Sequence, residues 1–371
     1  MFTLNNTRQS NAGTSNRGQG LLPVPGHFDP AKADKVWPVD YLQIERDGEA
    51  WYKLYDIEPA VTDKVKTALL VIDAQITFCI PGYELFVGGR SGRGAVDDNI
   101  RLCEFIYRNM RHITRVFPTM DTHTQFQIFH PLFFVNDAGE HPQPYTVITH
   151  EDVANGTWKV NPRATNSLGG NYLGLQRHLD YYTNELEKSG KYALIVWPPH
   201  AMLGGIGHAL APVVHEAVEF FNVVRASQTG FEIKGGHPLT ENYSVLLPEV
   251  TTTSGGAPLP NAQKNYKFIE KLIDPDAGFD VIGIAGQALS HCVAWTIDDL
   301  LKDILAKDPA AARKVHIIRD CSSPVVTPYQ DFTPDAEAAL DRFAAAGMHI
   351  VRSTDPITSW PGYQEALSVT R

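Results

Sequence analysis

The chain reads as an α/β protein, a parallel sheet with helices on both faces, extended by an N-terminal arm and interrupted by one long insertion. Three observations predict this class. Short apolar runs alternate with amphipathic stretches from residue 64 onward. The runs are apolar at nearly every position, as in strands buried on both faces. With 371 residues, 43% hydrophobic and 20% charged, the chain is long enough to bury one large core.

Taken in order, residues 1–20 are rich in Asn, Ser, Gly, Gln and Arg, a composition that predicts a flexible tail because it cannot offset the entropy of ordering. Residues 21–63 carry Trp37, Tyr41, Trp51, Tyr52 and Tyr55, so this arm is expected to pack on the main body or on a neighbouring subunit. The main domain, 64–371, offers strand-length runs at 67–72, 114–118, 192–197, 222–226, 279–284, 315–318 and 348–351. Helical patterns fall at 97–111, 207–221, 261–272, 292–305 and 333–345. The segment from about 124 to 190 is an insertion ending in a predicted helix over 175–188, of the kind that serves as a lid or an oligomer contact.

Bulk properties narrow the partners. A net charge of −10 argues against nucleic acid and anionic membranes, leaving small molecules or further copies of the chain, and a homo-oligomer is expected. The first residues lack the apolar segment of a signal peptide, and no run reaches the roughly 18 apolar residues of a membrane span. A cytoplasmic protein is therefore expected. The four cysteines, Cys79, Cys103, Cys292 and Cys321, show no CxxC spacing and read as reduced thiols.

In parallel α/β sheets ligands bind off the carboxyl ends of the strands, which directs attention to the residues just past each apolar run. Asp73 follows TALLVI, Asp121 and His123 follow RVFPTM, His200 ends ALIVWPPH, Lys234 lies in FEIKGG, and Cys292 ends VIGIAGQALSHC. A single Asp after a strand is an ordinary cap or turn former; five such segments at one sheet edge suggest a site. Asp73, Lys234 and Cys292 supply a base, a cation and a nucleophile. Cys292 opens a predicted helix, where the dipole favours thiolate. His291, adjacent to it, is expected to point away. Asp121, His123 and His200 supply one oxygen and two imidazoles, suited to zinc, iron or manganese, and His130 is a possible fourth ligand.

These residues together resemble the isochorismatase-like cysteine hydrolase superfamily, and its nicotinamidase branch in particular. The resemblance runs from about residue 67 to 355. LLVIDAQITF is similar to the family's opening strand, D-x-H at 121–123 and W-P-P-H at 197–200 to its metal ligands, IKGGHPLTENYS to its lysine segment, and GQALSHCV to its nucleophile turn. The resemblance implies a Rossmann-like, isochorismatase-type sheet. It further implies that Asp73, Lys234 and Cys292 are catalytic, that the backbone N–H groups of Ala288 and Cys292 form an oxyanion hole beside a non-proline cis peptide, and that Phe78 and Trp197 flank the substrate. A divalent metal on Asp121, His123 and His200 follows in the same way. Thr122 and Ala201 depart from the family pattern, as do the arm and the insertion, and they bear on the substrate more than on the reaction. The implied activity is hydrolysis of a small carboxamide, nicotinamide or a relative, through a cysteine thioester. The alternatives are a metal-free hydrolase of isochorismate, ureido or carbamoyl compounds, and a catalytically silent metabolite-binding protein on the same fold.

Overall fold

The structure, a computed structural model, describes residues 20–369. The predicted 1–20 tail thus falls, except for Gly20, outside the described residues. Helix α1 (Tyr41–Tyr55) starts where the Asp40 carboxylate accepts from the Gln43 N–H at 3.0 Å. Strand β1 (Thr67–Ile72) follows, buried along its whole length, then a single turn α2 (Ile76–Cys79), helix α3 (Gly94–Asn109) and strand β2 (Arg115–Asp121).

The insertion contains the short strands β3 (Phe134–Val135) and β4 (Val147–Ile148), helix α4 (His150–Ala154), strand β5 (Lys159–Val160), and helices α5 (Pro162–Ser167) and α6 (Tyr172–Ser189). It is followed by β6 (Leu194–Ile195), α7 (Pro212–Arg225), β7 (Glu232–Lys234), α8 (Tyr266–Ile273) and β8 (Val281–Gly286). A wide π-type turn, Leu289–Val293, leads into α9 (Ala294–Lys307), after which come β9 (Val315–Ile318), α10 (Thr333–Ala345), β10 (His349–Val351) and α11 (Pro361–Val369).

Six strands form the central sheet in the order β10-β9-β8-β1-β2-β7, every pairing parallel. The two sides of the sheet bury separate apolar clusters, one around Phe105, Tyr107, Phe220 and Trp360 and the other around Phe117, Phe268, Ile297 and Phe343. The sheet is thus covered on both faces, as the apolar strands predict. Gly286 ends β8 at φ +114°, and a Cβ there would stand 2.0 Å from the Ile72 carbonyl oxygen; only glycine lets β8 leave the sheet so close to β1.

Two predicted strands differ. The run 222–226 is the last turn of α7, because Pro212 starts a helix whose Val213, Val214, Ala217, Val218, Phe220, Phe221 and Val224 are buried at helical spacing. The strand beside β2 is instead β7. The run 192–197 does not enter the central sheet: only Leu194 and Ile195 are strand, antiparallel to β4. The neighbouring Val196 N–H donates to Thr146 and Trp197 N–H to Phe129, and Pro198-Pro199 then removes two backbone donors.

The arm lies on α7. Trp51 meets Phe220 edge to face at 5.8 Å, and the absence of a side chain at Gly48 admits Val223, whose Cγ1 would lie 2.7 Å from a Cβ. Within the insertion, α6 braces the loop after β7: His178 Nε2 shares a hydrogen bond with the Leu239 carbonyl at 2.9 Å, and the Tyr182 hydroxyl accepts from Glu241 N–H at 3.1 Å.

Candidate active site

Four sheet strands deliver side chains to one buried cluster. Asp73 directly follows β1, Asp121 ends β2, Lys234 ends β7, and Cys292 sits in the turn beyond β8. Parallel neighbours in register bring the first three together, since Asp121 pairs directly with Lys234 and β1 lies on the other side of β2. The Lys234 ammonium stands 3.0 Å from Asp73 Oδ2 and 3.0 Å from Asp121 Oδ1, donates to the Asn242 carbonyl at 2.8 Å, and lies 3.6 Å from Cys292 Sγ. All four side chains are buried.

Their protonation follows from this arrangement. Burial by itself would push Lys234 down, but the charges of Asp121 and Asp73 outweigh it and hold the ammonium well above its ordinary range. Burial pushes Asp73 up against the opposing pull of Lys234, which makes it a better proton acceptor than an exposed carboxylate. Thr119 Oγ1 donates to Asp73 Oδ1 and fixes its orientation. Burial also drives the Cys292 thiol well above its ordinary value, with Lys234 pulling it down. Burial thus opposes the helix N-terminus here and favours the thiol.

Asp121, His123 and His200 place one ligand atom each within 4.8 Å of one another. His123 Nδ1 hydrogen-bonds the Gly235 carbonyl at 3.0 Å, and His200 Nδ1 the Pro198 carbonyl at 2.8 Å. A carbonyl only accepts, so both Nδ1 atoms carry a proton, and both Nε2 atoms face Asp121 Oδ2, at 2.9 and 3.5 Å. Two imidazole nitrogens and a carboxylate oxygen converging in this way suit a shared cation, and backbone carbonyls behind metal-binding histidines are the usual support for one. The residues fit a divalent metal. For Asp121, burial raises the carboxyl, but His123 and Lys234 outweigh it and hold it well below the usual carboxylate range. Gln75 anchors the ligand strand, accepting from Asp121 N–H at 2.7 Å and donating to its carbonyl at 2.8 Å. Gly235, at φ +82°, must be glycine, since a Cβ would stand 2.6 Å from Asp121 Oδ1 and from the His123 ring. His130 packs edge-on against His123 and His200 with centroids 5.9 Å from each, outside the converging group, and burial lowers it to about 3.

The cavity is walled by Phe78, Leu85, Val87, Trp197, Tyr243, Ala288 and Val325, with Asp121, His200, Glu241, His291 and Cys292 as its polar groups. Mostly apolar walls with a few convergent polar groups are the usual make-up of a small-ligand site. Phe78 meets His200 edge to face at 5.5 Å, and Trp197 Nε1 donates to the Tyr243 hydroxyl at 3.0 Å. The peptide between Gln287 and Ala288 is cis, and the Ala288 N–H has no hydrogen-bond partner among the described residues.

Sequence reasoning passed over two wall residues. Glu241 is buried, accepts from the Asn242 N–H at 2.8 Å, and is pushed by burial up to about 7. Its signal was a carboxylate within L-T-E-N-Y-S-V-L-L, a largely apolar loop. His291 was expected to point away from the nucleophile, yet it lines the same cavity as Cys292.

No family model and no curated protein matches the chain. Among solved structures it is similar to a nicotinamidase/pyrazinamidase of Acinetobacter baumanii, at 18% identity over 78% of this chain and 97% of that one, TM-score 0.44. It is similar also to the yeast nicotinamidase bound to the inhibitor nicotinaldehyde, at 18% identity over 77% and 99%, TM-score 0.47. A third is the pyrazinamidase of Pyrococcus horikoshii in complex with zinc, at 17% identity over 77% and 98%, TM-score 0.37.

Proposed function

We propose that the protein is an amidohydrolase that cleaves a small, flat carboxamide, nicotinamide or a relative, to the acid and ammonia through a thioester on Cys292. The observation that carries this reading is the Lys234 ammonium, held 3.0 Å from Asp73 and 3.6 Å from the Sγ of Cys292, which itself lines an apolar cavity. Asp73 accepts the thiol proton, and Lys234 holds the resulting charge. The thiolate sulfur bonds to the amide carbon, and the oxyanion is met by the N–H groups of Ala288 and Cys292; one such donor is worth about 3 to 4 kcal/mol of barrier. Asp73 returns its proton to the departing nitrogen as the C–N bond breaks, releasing ammonia. It then takes a proton from the water that cleaves the thioester, and passes it back to sulfur.

Asp121, His123 and His200 would hold a zinc, iron or manganese ion, which supplies Lewis acidity and an anchoring point when bound. Phe78 and Trp197 flank the substrate ring. The convergent ligand set favours this reading over a metal-free relative, and the pairing of three buried ionisable groups favours it over a silent binding protein, which gains nothing from burying them. The same reading makes the protein a cytoplasmic homo-oligomer acting on free small molecules. No helix among the described residues is long and apolar enough to cross a membrane.

The test is ammonia release from nicotinamide and a panel of aromatic and aliphatic amides by the metal-loaded protein and by Cys292→Ala. Release that vanishes in the variant supports the assignment. Silence of the wild-type protein across the panel overturns it.

A further inference from the structure

His291 is 3% exposed and lies on the cavity wall beside the nucleophile, yet none of the steps above uses it. Its ring is held by a cage of aromatic side chains, with centroids 4.6 Å from Tyr192, 4.7 Å from Phe332, 5.3 Å from Tyr243 and 5.5 Å from Trp197. One edge is satisfied, with Nδ1 2.8 Å from Ser290 Oγ. The other is not. Nε2 is buried and has no partner among the described residues.

The neighbours of Ser290 fix which nitrogen carries the proton. Ser290 Oγ accepts from the Val325 N–H at 3.0 Å. Its own hydrogen has one acceptor among the described residues, His291 Nδ1. The hydroxyl therefore donates to Nδ1, and in a neutral ring the proton lies on Nε2. Burial favours that neutral ring, lowering its pKa to about 3. A neutral N–H donor on a cavity-wall residue is thus enclosed by its cage with its hydrogen bond unmade, a costly condition that an acceptor reaching it from the cavity, as the cage yields, relieves.

We propose that His291 determines specificity: its Nε2–H donates to an acceptor on the part of the substrate away from the carboxamide, selecting flat, uncharged amides with a ring nitrogen or carbonyl over carbocyclic ones. This rests on the amidohydrolase reading. It assigns the Ser290 hydroxyl as the positioning residue that sets the tautomer.

The experiment is kcat and KM for benzamide and the three pyridinecarboxamides with the metal-loaded wild-type protein, His291→Phe, His291→Gln and Ser290→Ala. His291→Phe keeps an aromatic ring in the cage and removes the donor. Its kcat/KM for at least one pyridinecarboxamide is expected to fall roughly tenfold, mainly through KM, the scale of one lost hydrogen bond. The loss for benzamide is expected to be severalfold smaller, since it offers no ring acceptor for the donor to meet. His291→Gln, which presents an amide N–H, should recover most of the preference. Ser290→Ala keeps the ring but frees its tautomer, and should lower the same ratio severalfold even if His291→Phe does not fold. A loss equal across all four amides, or an unchanged preference in every variant, overturns the proposal while leaving the amidohydrolase reading intact. Wild-type protein silent on every amide overturns both.

Discussion

Replacing Lys234 with methionine tests the electrostatic core of the site. The substitution nearly preserves the volume of the stem but takes a positive charge from between two buried carboxylates, each 3.0 Å away. Breaking a buried pair by removing one partner costs about 3 to 5 kcal/mol, because the remaining charge is left unpaired. Here two are left, but only one needs to stay charged: Asp73, already raised by burial, would take up a proton. The loss should therefore lie within that range at pH 8 and shrink toward pH 5.5, since a carboxyl whose folded pKa is raised binds protons more readily in the native state, so native stability falls as pH rises. The same proton uptake disables catalysis. A neutral Asp73 cannot accept the thiol proton, and the thiolate loses the cation 3.6 Å from Sγ. If losing the cation raises the barrier by a similar amount, about 3 to 5 kcal/mol, kcat/KM falls by roughly 10² to 10⁴. Urea unfolding at both pH values and ammonia release measure the two effects. A Lys234→Met protein that loses under about 1 kcal/mol at either pH, or keeps activity within about tenfold of wild type, would refute this account of how the site is charged.

Other expectations follow from the same geometry. His200→Ala removes one of three converging ligands and should lower zinc content after dialysis, read by elemental analysis; wild-type protein with zinc at a hundred times its Kd should gain about 2.7 kcal/mol over the chelated protein in thermal or urea unfolding. Glu241 rises from 4.5 to about 7 on burial, so the metal-free native state binds the extra proton, and its stability should fall as pH rises through that window. Glu241→Gln should abolish this slope, gaining on the order of 1 to 3 kcal/mol at pH 8 and little at pH 5; an unchanged slope argues that the carboxylate is stabilised by a partner. Gly286→Ala would put a methyl group 2.0 Å from the Ile72 carbonyl oxygen and should leave little folded protein, as judged by circular dichroism.

The sequence exposed the site where the backbone alone sets side-chain position. Asp73, Asp121 and Lys234 end or directly follow strands of one parallel sheet, and parallel register suffices to bring them together. The flanking helices were legible for the same reason, α10 to the residue, because a 3.6-residue period survives in the sequence. Where periodicity gave two answers, composition misled: Val223-Val224 reads as strand but lies in the last turn of α7, whose buried stripe Val224 continues, while the true strand β7 is only three residues long and exposes Ile233. His200 was found by its motif, although its run pairs with the insertion and not with the sheet. Glu241 lies in a loop braced by α6 from the insertion, a long-range contact with no periodic trace.

His291 shows the limit most clearly. Adjacent residues diverge on a strand and on an ordinary helix, so one side chain toward the cavity argues that its neighbour faces elsewhere. The nucleophile turn is neither, for Leu289–Val293 is a π-type turn with its bonds spread over five residues, from Ala294 N–H back to the Leu289 carbonyl. A wider turn rotates less per residue, and His291 and Cys292 both border the cavity. Such turns sacrifice regular packing and occur often at functional sites. What it gains here is a second polar group on the wall beside the nucleophile, at a position where regular helix geometry supplies one.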